Sequence, residues 1–277
     1  VGDADQLPSV GPGNVLKECI ASGVVPVVEL NEIFRQSRES LIVVNAHRVK
    51  NGLMPLFPGE GEPRKGFYFL QEEDPGKVAL KVCELVTATL PSRFGLDPLE
   101  EIQVLCPMHK GAAGAIALNE SLQESLNGKA PGLQRGGRTY RVGDRVMQVR
   151  NDYEKDVFNG DIGRIMGIDE EEQVVTIAFD GRLIPYLFPD LDQIVPAYAI
   201  TVHKSQGSEY PAVVIALTTQ HYLMLQRNLL YTALTRARRF AVIVGTKKAL
   251  AISVRNDRVQ RRCSRLSLRL RQSPDLS

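Results

Sequence analysis

Between Val195 and Val244 the sequence places charged and amide side chains where phosphate chemistry can use them. His203 to Glu209, HKSQGSE, sets a cation, two hydroxyls, an amide and a glycine directly after the apolar run Ala197 to Val202. A loop of that make-up after a strand can present backbone N–H groups and Lys204 to phosphate oxygens; an ordinary polar turn has the same composition. Further on, LQRNLLYTALTRARR reads as a helix beginning near Gln226, with Tyr231, Leu234 and Ala237 at three-residue spacing and Arg236, Arg238 and Arg239 near its end. Arginines there offer planar, permanently charged forks to phosphoryl oxygens, or they complement the C-terminal end of a helix dipole.

The elements that must position these groups alternate with them. Ala197–Val202, Ala212–Leu217 and Phe240–Val244 have the length and β-branched content of buried strands, so the polar segments between them fall at the edge of an α/β sheet. Such sheets hold ligands at that edge.

Taken in order, TVHKSQGSEY (Thr201 to Tyr210) and LLYTALTRAR (Leu229 to Arg238) resemble motifs V and VI of superfamily 1 helicases, in particular the RecD-like branch. The resemblance implies an ATP-driven motor that walks 5′ to 3′ on single-stranded DNA, built on a RecA-like parallel sheet flanked by helices. Three other stretches carry it further. GDADQLPSVGPGN (Gly2 to Asn14) offers two carboxylates and Gln6 at a strand end; paired acids serve acid–base work or metal binding, or they cap the helix expected from about Asn14 to Ala21. The stretch resembles motif III, which implies that Gln6 senses the terminal phosphate of the nucleotide while Asp3 and Asp5 shape the loop. A strand is expected over Val24–Leu30, and ELNEIFRQS after it resembles motif IV, making Arg35 the first arginine-finger candidate. PMHKG (Pro107 to Gly111) repeats the form strand, His, Lys, Gly, helix, which suits a DNA phosphate or an ordinary βα turn; the RecD-like family has a DNA-contacting motif there.

The implied site has two sides. Gln6, Arg35 and Arg236 act on the γ-phosphate, with Gly207 and Glu209 completing the nucleotide side. His109, Lys110, Thr201, His203, Lys204 and Ser205 hold the DNA backbone. The implied cofactors are ATP and Mg²⁺. Their primary seat needs a G-x-x-x-x-G-K-[ST] loop and a strand ending in an Asp-Glu pair, and the sequence contains neither. With Val1 in place of a methionine, the chain reads as a fragment: residues 1–26 the remnant of a first motor domain, 27–130 and 194–277 the two parts of a second, and 131–193 an insert. The parent is expected to be an ATP-dependent DNA helicase and this chain alone to lack ATPase activity. Its expected partners are single-stranded DNA, the missing N-terminal motor domain, and repair or recombination proteins. The helicase half of a conjugative relaxase, and a non-catalytic DNA-binding or docking module, are the alternatives.

The insert stands out by period-two alternation with repeated turn signals, such as Val142-Gly143-Asp144 and Asn159-Gly160-Asp161. Five short strands in a small barrel are expected, and the stretch resembles the Src-homology-3-type barrel of RecD-like helicases. Tyr153 and Phe158 in it could stack on bases, but core or turn packing is the more usual use; its arginines are balanced by acids and read as a solvated surface. Before it, helices are expected over Ser40–Lys50, ended by Asn51-Gly52, and Pro75–Leu90, stopped by Pro91, with strands Gly66–Leu70 and Glu101–Cys106. The basic tail, Arg255 to Gln272, could contact nucleic acid, pack on the sheet as a partial helix, or be disordered.

Composition bounds these readings. With 277 residues, 43% hydrophobic and 24% charged, the chain can bury a sizeable core. A net charge of +2 is too small to argue nucleic-acid binding, so any basic surface must be local. The cysteines at 19, 83, 106 and 263 are scattered, without C-x-x-C or ligand spacing, which speaks against a zinc site or disulfide framework. No apolar run approaches the roughly 20 residues that span a bilayer, and a cytoplasmic location is expected.

Overall fold

In the computed structural model the described residues are 1–8, 11, 13–29, 40–57, 66–257 and 264–272. Arg35 and Cys263 lie outside them. The chain begins with α1 (Val15–Ser22) and α2 (Leu41–Lys50), followed by β1 (Phe67–Gln71), α3 (Pro75–Glu84), α4 (Leu90–Phe94), β2 (Ile102–Cys106) and α5 (Ala115–Asn127). Seven short strands come next: β3 (Gly132–Arg135), β4 (Arg138–Arg141), β5 (Arg145–Gln148), β6 (Ile162–Asp169), β7 (Val174–Phe179), β8 (Arg182–Leu187) and β9 (Ile194–Pro196). The α/β pattern then resumes with β10 (Ala199–Thr201), β11 (Tyr210–Leu217), α6 (Arg227–Leu234), β12 (Ala237–Gly245), α7 (Lys247–Arg255) and α8 (Leu266–Gln272).

Five strands form a parallel sheet in the order β1-β12-β11-β2-β10. Both faces are covered, and alternate residues go to opposite sides: Val213, Ile215 and Leu217 of β11 pack with α2, α6 and α7, while Ala212, Val214 and Ala216 pack with α3 and α5. The near-continuous apolar runs of the sequence are what a sheet buried on both faces requires. The insert is all β, an antiparallel sheet β8-β7-β6-β5-β9 with the hairpin β3-β4 beside it and its own core around Tyr140, Val146, Ile177 and Tyr186. The expected class, a parallel α/β sheet interrupted by a small all-β unit, is the observed one.

Several local expectations are corrected. Residues 24–29 form no strand. Pro91 does not stop its helix: the chain widens into a π turn over Leu85–Thr89 and runs on through α4 to Gly95, whose left-handed backbone ends it. A π turn is a place where a helix tolerates a proline that lacks its N–H. The expected strand Ala197–Val202 shortens to Ala199–Thr201 in the parallel sheet, and Ile194–Pro196 just before it pairs in the barrel. The helix over Leu225–Arg239 ends at Leu234, and Ala237, Arg238 and Arg239 belong to β12. Tyr153 and Phe158 are exposed, meeting each other edge to face at 6.0 Å rather than packing in a core. In the tail, α8 packs on α1 and not on the sheet, with Arg271 donating to the carbonyls of Ala21 and Ser22.

Buried polar side chains join the two units. Asp144 accepts from the Tyr198 hydroxyl at 2.9 Å and from Asn127 at 2.8 Å, and Arg145 donates to the Ile102 carbonyl at 3.0 Å. Asn119 on α5 clamps the short edge strand β10, donating to Ala199 O at 2.7 Å and accepting from Ala199 N at 2.9 Å. Asn119→Ala leaves both backbone groups without partners, so urea unfolding should show a loss of about 2–3 kcal/mol.

His221 is buried after β11, and its Nδ1 accepts from the Thr218 amide at 3.4 Å. Burial pushes its pKa down to about 4 from 6.5. Between those values the unfolded chain binds a proton that the folded chain refuses, so stability falls as pH drops from 6.5 toward 4, by up to about 1.4 kcal/mol per pH unit. His221→Asn should flatten the pH dependence of the urea midpoint in that window.

Candidate functional site

The polar segments lie at opposite edges of one sheet. Thr201, the last residue of β10, is level with Cys106 at the end of β2; Ala212, near the start of β11, is level with Ile102 at its beginning. Residues 202–209 therefore run from the carboxyl edge of the sheet back to its amino edge, a descent of roughly 13 Å at about 3.3 Å per strand residue.

At the carboxyl edge, the ends of β2 and β10 bring two basic loops together. Val202–Ser205 is a short 3₁₀ turn, not an open loop. The Pro107–Gly114 loop closes tightly: Gly111 has φ +101°, and a Cβ at Gly114 would collide with the carbonyls of Lys110 and His109. Between these loops, α5 and the β3-β4 hairpin lies a cleft of about 310 Å³, lined by His109, Ile116, Arg138, Thr201 and Lys204 among others. Lys204 is half-buried, and desolvation, with Arg138 nearby, holds its amine below the usual lysine range. Two cations facing one small cleft favour an anion between them.

Not every expected residue reaches it. Lys110 and His203 are exposed and do not line the cleft. Ser205 is fully buried, and its hydroxyl donates to Val202 O at 2.8 Å, so it shapes the turn. Arg138 was missed as a site residue because its charge is balanced along the sequence; only the docking of the hairpin over α5 singles it out.

At the amino edge a second cluster forms. Arg236 is 5% exposed, and its guanidinium donates to Thr232 O at 3.3 Å, Ser208 O at 2.9 Å, Thr235 Oγ1 at 3.2 Å and Gln6 Oε1 at 3.0 Å. The fold thus joins Gln6 and Arg236 directly. Gln6 donates to Asp3 Oδ2 at 3.0 Å, and the Tyr231 hydroxyl donates to the same oxygen at 2.9 Å. Backbone pins hold the segment in place: Leu7 N donates to Thr232 Oγ1, and Gln206 Nε2 to Leu7 O, both at 2.8 Å. Gly207 is exposed with φ +85°, a left-handed turn that favours glycine, and exposed Glu209 pairs with Arg238 at 2.9 Å. Asp3 and Tyr231 were not separable from loop and helix packing in the sequence.

The arrangement can bind anions at two places linked by one short segment. Among the described residues no group of three or more His, Cys, Asp or Glu is placed to hold a metal ion, and no helix is long and apolar enough to cross a membrane.

Residues 118–179 match the ATP-dependent RecD-like DNA helicase SH3 domain, residues 196–244 the UvrD-like helicase C-terminal domain, and residues 1–56 an AAA domain. Its later half thus carries domain sequences of the RecD-like and UvrD-like helicases. Over most of its length the chain resembles RecD-like helicases. It is 34% identical to an ATP-dependent RecD2 DNA helicase of Deinococcus radiodurans over 94% of its own length and 34% of that protein's. A RecBCD enzyme subunit RecD of Mycobacterium tuberculosis is 29% identical over 99% of the chain and 48% of the subunit. The chain therefore spans about a third to a half of these relatives. Among solved structures, a Bacteroides Pif1 helicase in complex with ADP-AlF3 and ssDNA aligns with TM-score 0.49 and 20% identity, covering 87% of this chain and 60% of that one.

Proposed function

We propose that this chain supplies the DNA grip and the phosphate-facing arginine of an ATP-dependent DNA helicase that translocates 5′ to 3′ on single-stranded DNA. The observation that carries the reading is the 3.0 Å contact between Gln6 and Arg236, joined by residues 202–209 to the cleft that holds Lys204. The relatives span more than this chain, so the motor as a whole needs sequence beyond it.

The residues fit a nucleotide's terminal phosphate. Arg236 keeps two of its contacts with side-chain oxygens, Gln6 Oε1 and Thr235 Oγ1, which a phosphoryl oxygen can replace without breaking the backbone. A guanidinium so placed neutralises charge that develops during phosphoryl transfer, and Gln6 reports its presence to the loop. Arg35 is the second arginine proposed for this work, on its sequence context alone. ATP, with Mg²⁺, supplies the free energy of movement. On the other edge, Lys204, His109 and Thr201 hold the DNA backbone, with Arg138 of the barrel closing over it. Because residues 202–209 belong to both sites, movement at Arg236 shifts Lys204, which is how hydrolysis and stepping are coupled. On this reading the chain alone lacks ATPase activity.

Two experiments test this. The 277-residue chain should bind oligothymidylate with log K falling linearly in log salt, and Lys204→Ala or Arg138→Ala should each reduce the slope by about 0.7, the single-strand value for one phosphate contact. Salt-independent binding favours a docking module instead. In the whole helicase, Arg236→Ala should lower DNA-stimulated ATP turnover by about 10³-fold or more while leaving DNA affinity nearly unchanged. Normal turnover in that variant removes Arg236 from the role.

A further inference from the structure

Gln6 and Arg236 lie 230 residues apart in sequence, and neither side chain is rigid by itself. An amide has two chemically opposite ends of similar shape, so something must decide which end meets the guanidinium. Asp3 decides it. Its carboxylate can only accept, and it takes the Gln6 Nε2–H at 3.0 Å, which leaves Gln6 Oε1 to face Arg236. The opposite amide orientation would set –NH₂ against the guanidinium and oxygen against oxygen.

Asp3 itself is exposed on a loop, and its Oδ2 is fixed by the hydroxyl of Tyr231 at 2.9 Å, while its Oδ1 caps the Asp5 amide at 3.0 Å. Tyr231 is suited to this because its ring is packed in the core on α6, with 8% of the residue exposed. Burial, and then the neighbouring Asp3 carboxylate, push its phenol pKa up, so it carries its proton throughout the neutral range. The other pins on this segment, Leu7 N to Thr232 and Gln206 to Leu7 O, hold backbone and leave the Gln6 amide free to turn.

We infer that Tyr231 is a positioning residue: through Asp3 it fixes the orientation of the Gln6 amide and thereby aims Nη2 of Arg236. This role presupposes the phosphate-facing function proposed for Gln6 and Arg236. It places a core tyrosine and a loop carboxylate in control of the turnover step, with no contact of their own to the nucleotide.

The test is ATP hydrolysis by the whole helicase at saturating single-stranded DNA. Tyr231→Phe should lower kcat about tenfold with KM for ATP changed by less than about twofold and the thermal midpoint nearly unmoved, since one hydrogen bond to a charged acceptor is lost. Asp3→Ala, which removes the shared acceptor, should give a similar loss, and the double variant no more than either single, because both act through one amide. Wild-type kcat in both single variants overturns the inference, as do losses that multiply in the double. Should Tyr231→Phe fail to fold, Asp3→Ala at the exposed loop position decides alone: a loss confined to kcat supports the role, and normal kcat overturns it. Arg236→Ala run in parallel separates the two levels. If Arg236→Ala hydrolyses ATP normally, the phosphate-facing function has failed; if it is inactive while Tyr231→Phe and Asp3→Ala are normal, only the positioning role has.

Discussion

The guanidinium of Arg236 constrains more of this fold than any other single group. An arginine cannot shed its charge, and burying it is costly unless acceptors replace the water it loses. Here the acceptors are neutral oxygens from three places: the end of α6, the residues before β11, and Gln6 near the start of the chain. Each must stay within hydrogen-bond reach for the charge to remain solvated. Three stretches distant in sequence are therefore held in one geometry, and a ligand that offers Arg236 a better acceptor must rearrange them together.

The parallel register turns that local demand into a connection across the molecule. Because β10 and β11 run the same way, the chain leaving β10 has to return along the sheet before β11 can begin. That return is residues 202–209. It carries Lys204 at one end and Ser208, which Arg236 holds, at the other. Had β11 run the other way, the chain would only have had to cross over β2, and both basic groups would then have sat at the same edge.

The barrel extends the sheet's carboxyl edge into a cleft. Adjacent residues do this work in opposite ways: Asp144 gathers donors from α5 and Tyr198, and Arg145 reaches under the sheet to the Ile102 carbonyl. Both are buried and both find partners in the other unit, so the insert is anchored and not merely tethered by its two connections. Arg138 and Lys204 line the same cleft, and burial first, with the Arg138 charge second, holds the lysine's pKa down.

The sequence by itself determined the class of fold, the presence of a separate β unit, and which polar loops fall at the sheet's edges. Buried strands and half-buried β strands leave different hydrophobic periods, and a polar segment between two apolar runs must fall at a sheet edge. It also marked Gln6, Lys204 and Arg236, because their residue types stand in recognisable order. Only the tertiary structure decided which of these meet. Gln6 touches Arg236, Lys204 shares a cleft with Arg138, and Ser205 turns inward, because hydrogen bonds between distant segments have no periodicity to betray them. Boundaries were misjudged where the same physics was at work: Pro91 was absorbed by a π turn, and Ala237 to Arg239 joined a strand because Ala237 pairs with Tyr210 at the start of β11, ahead of the stretch from Ala241 on that β1 also pairs.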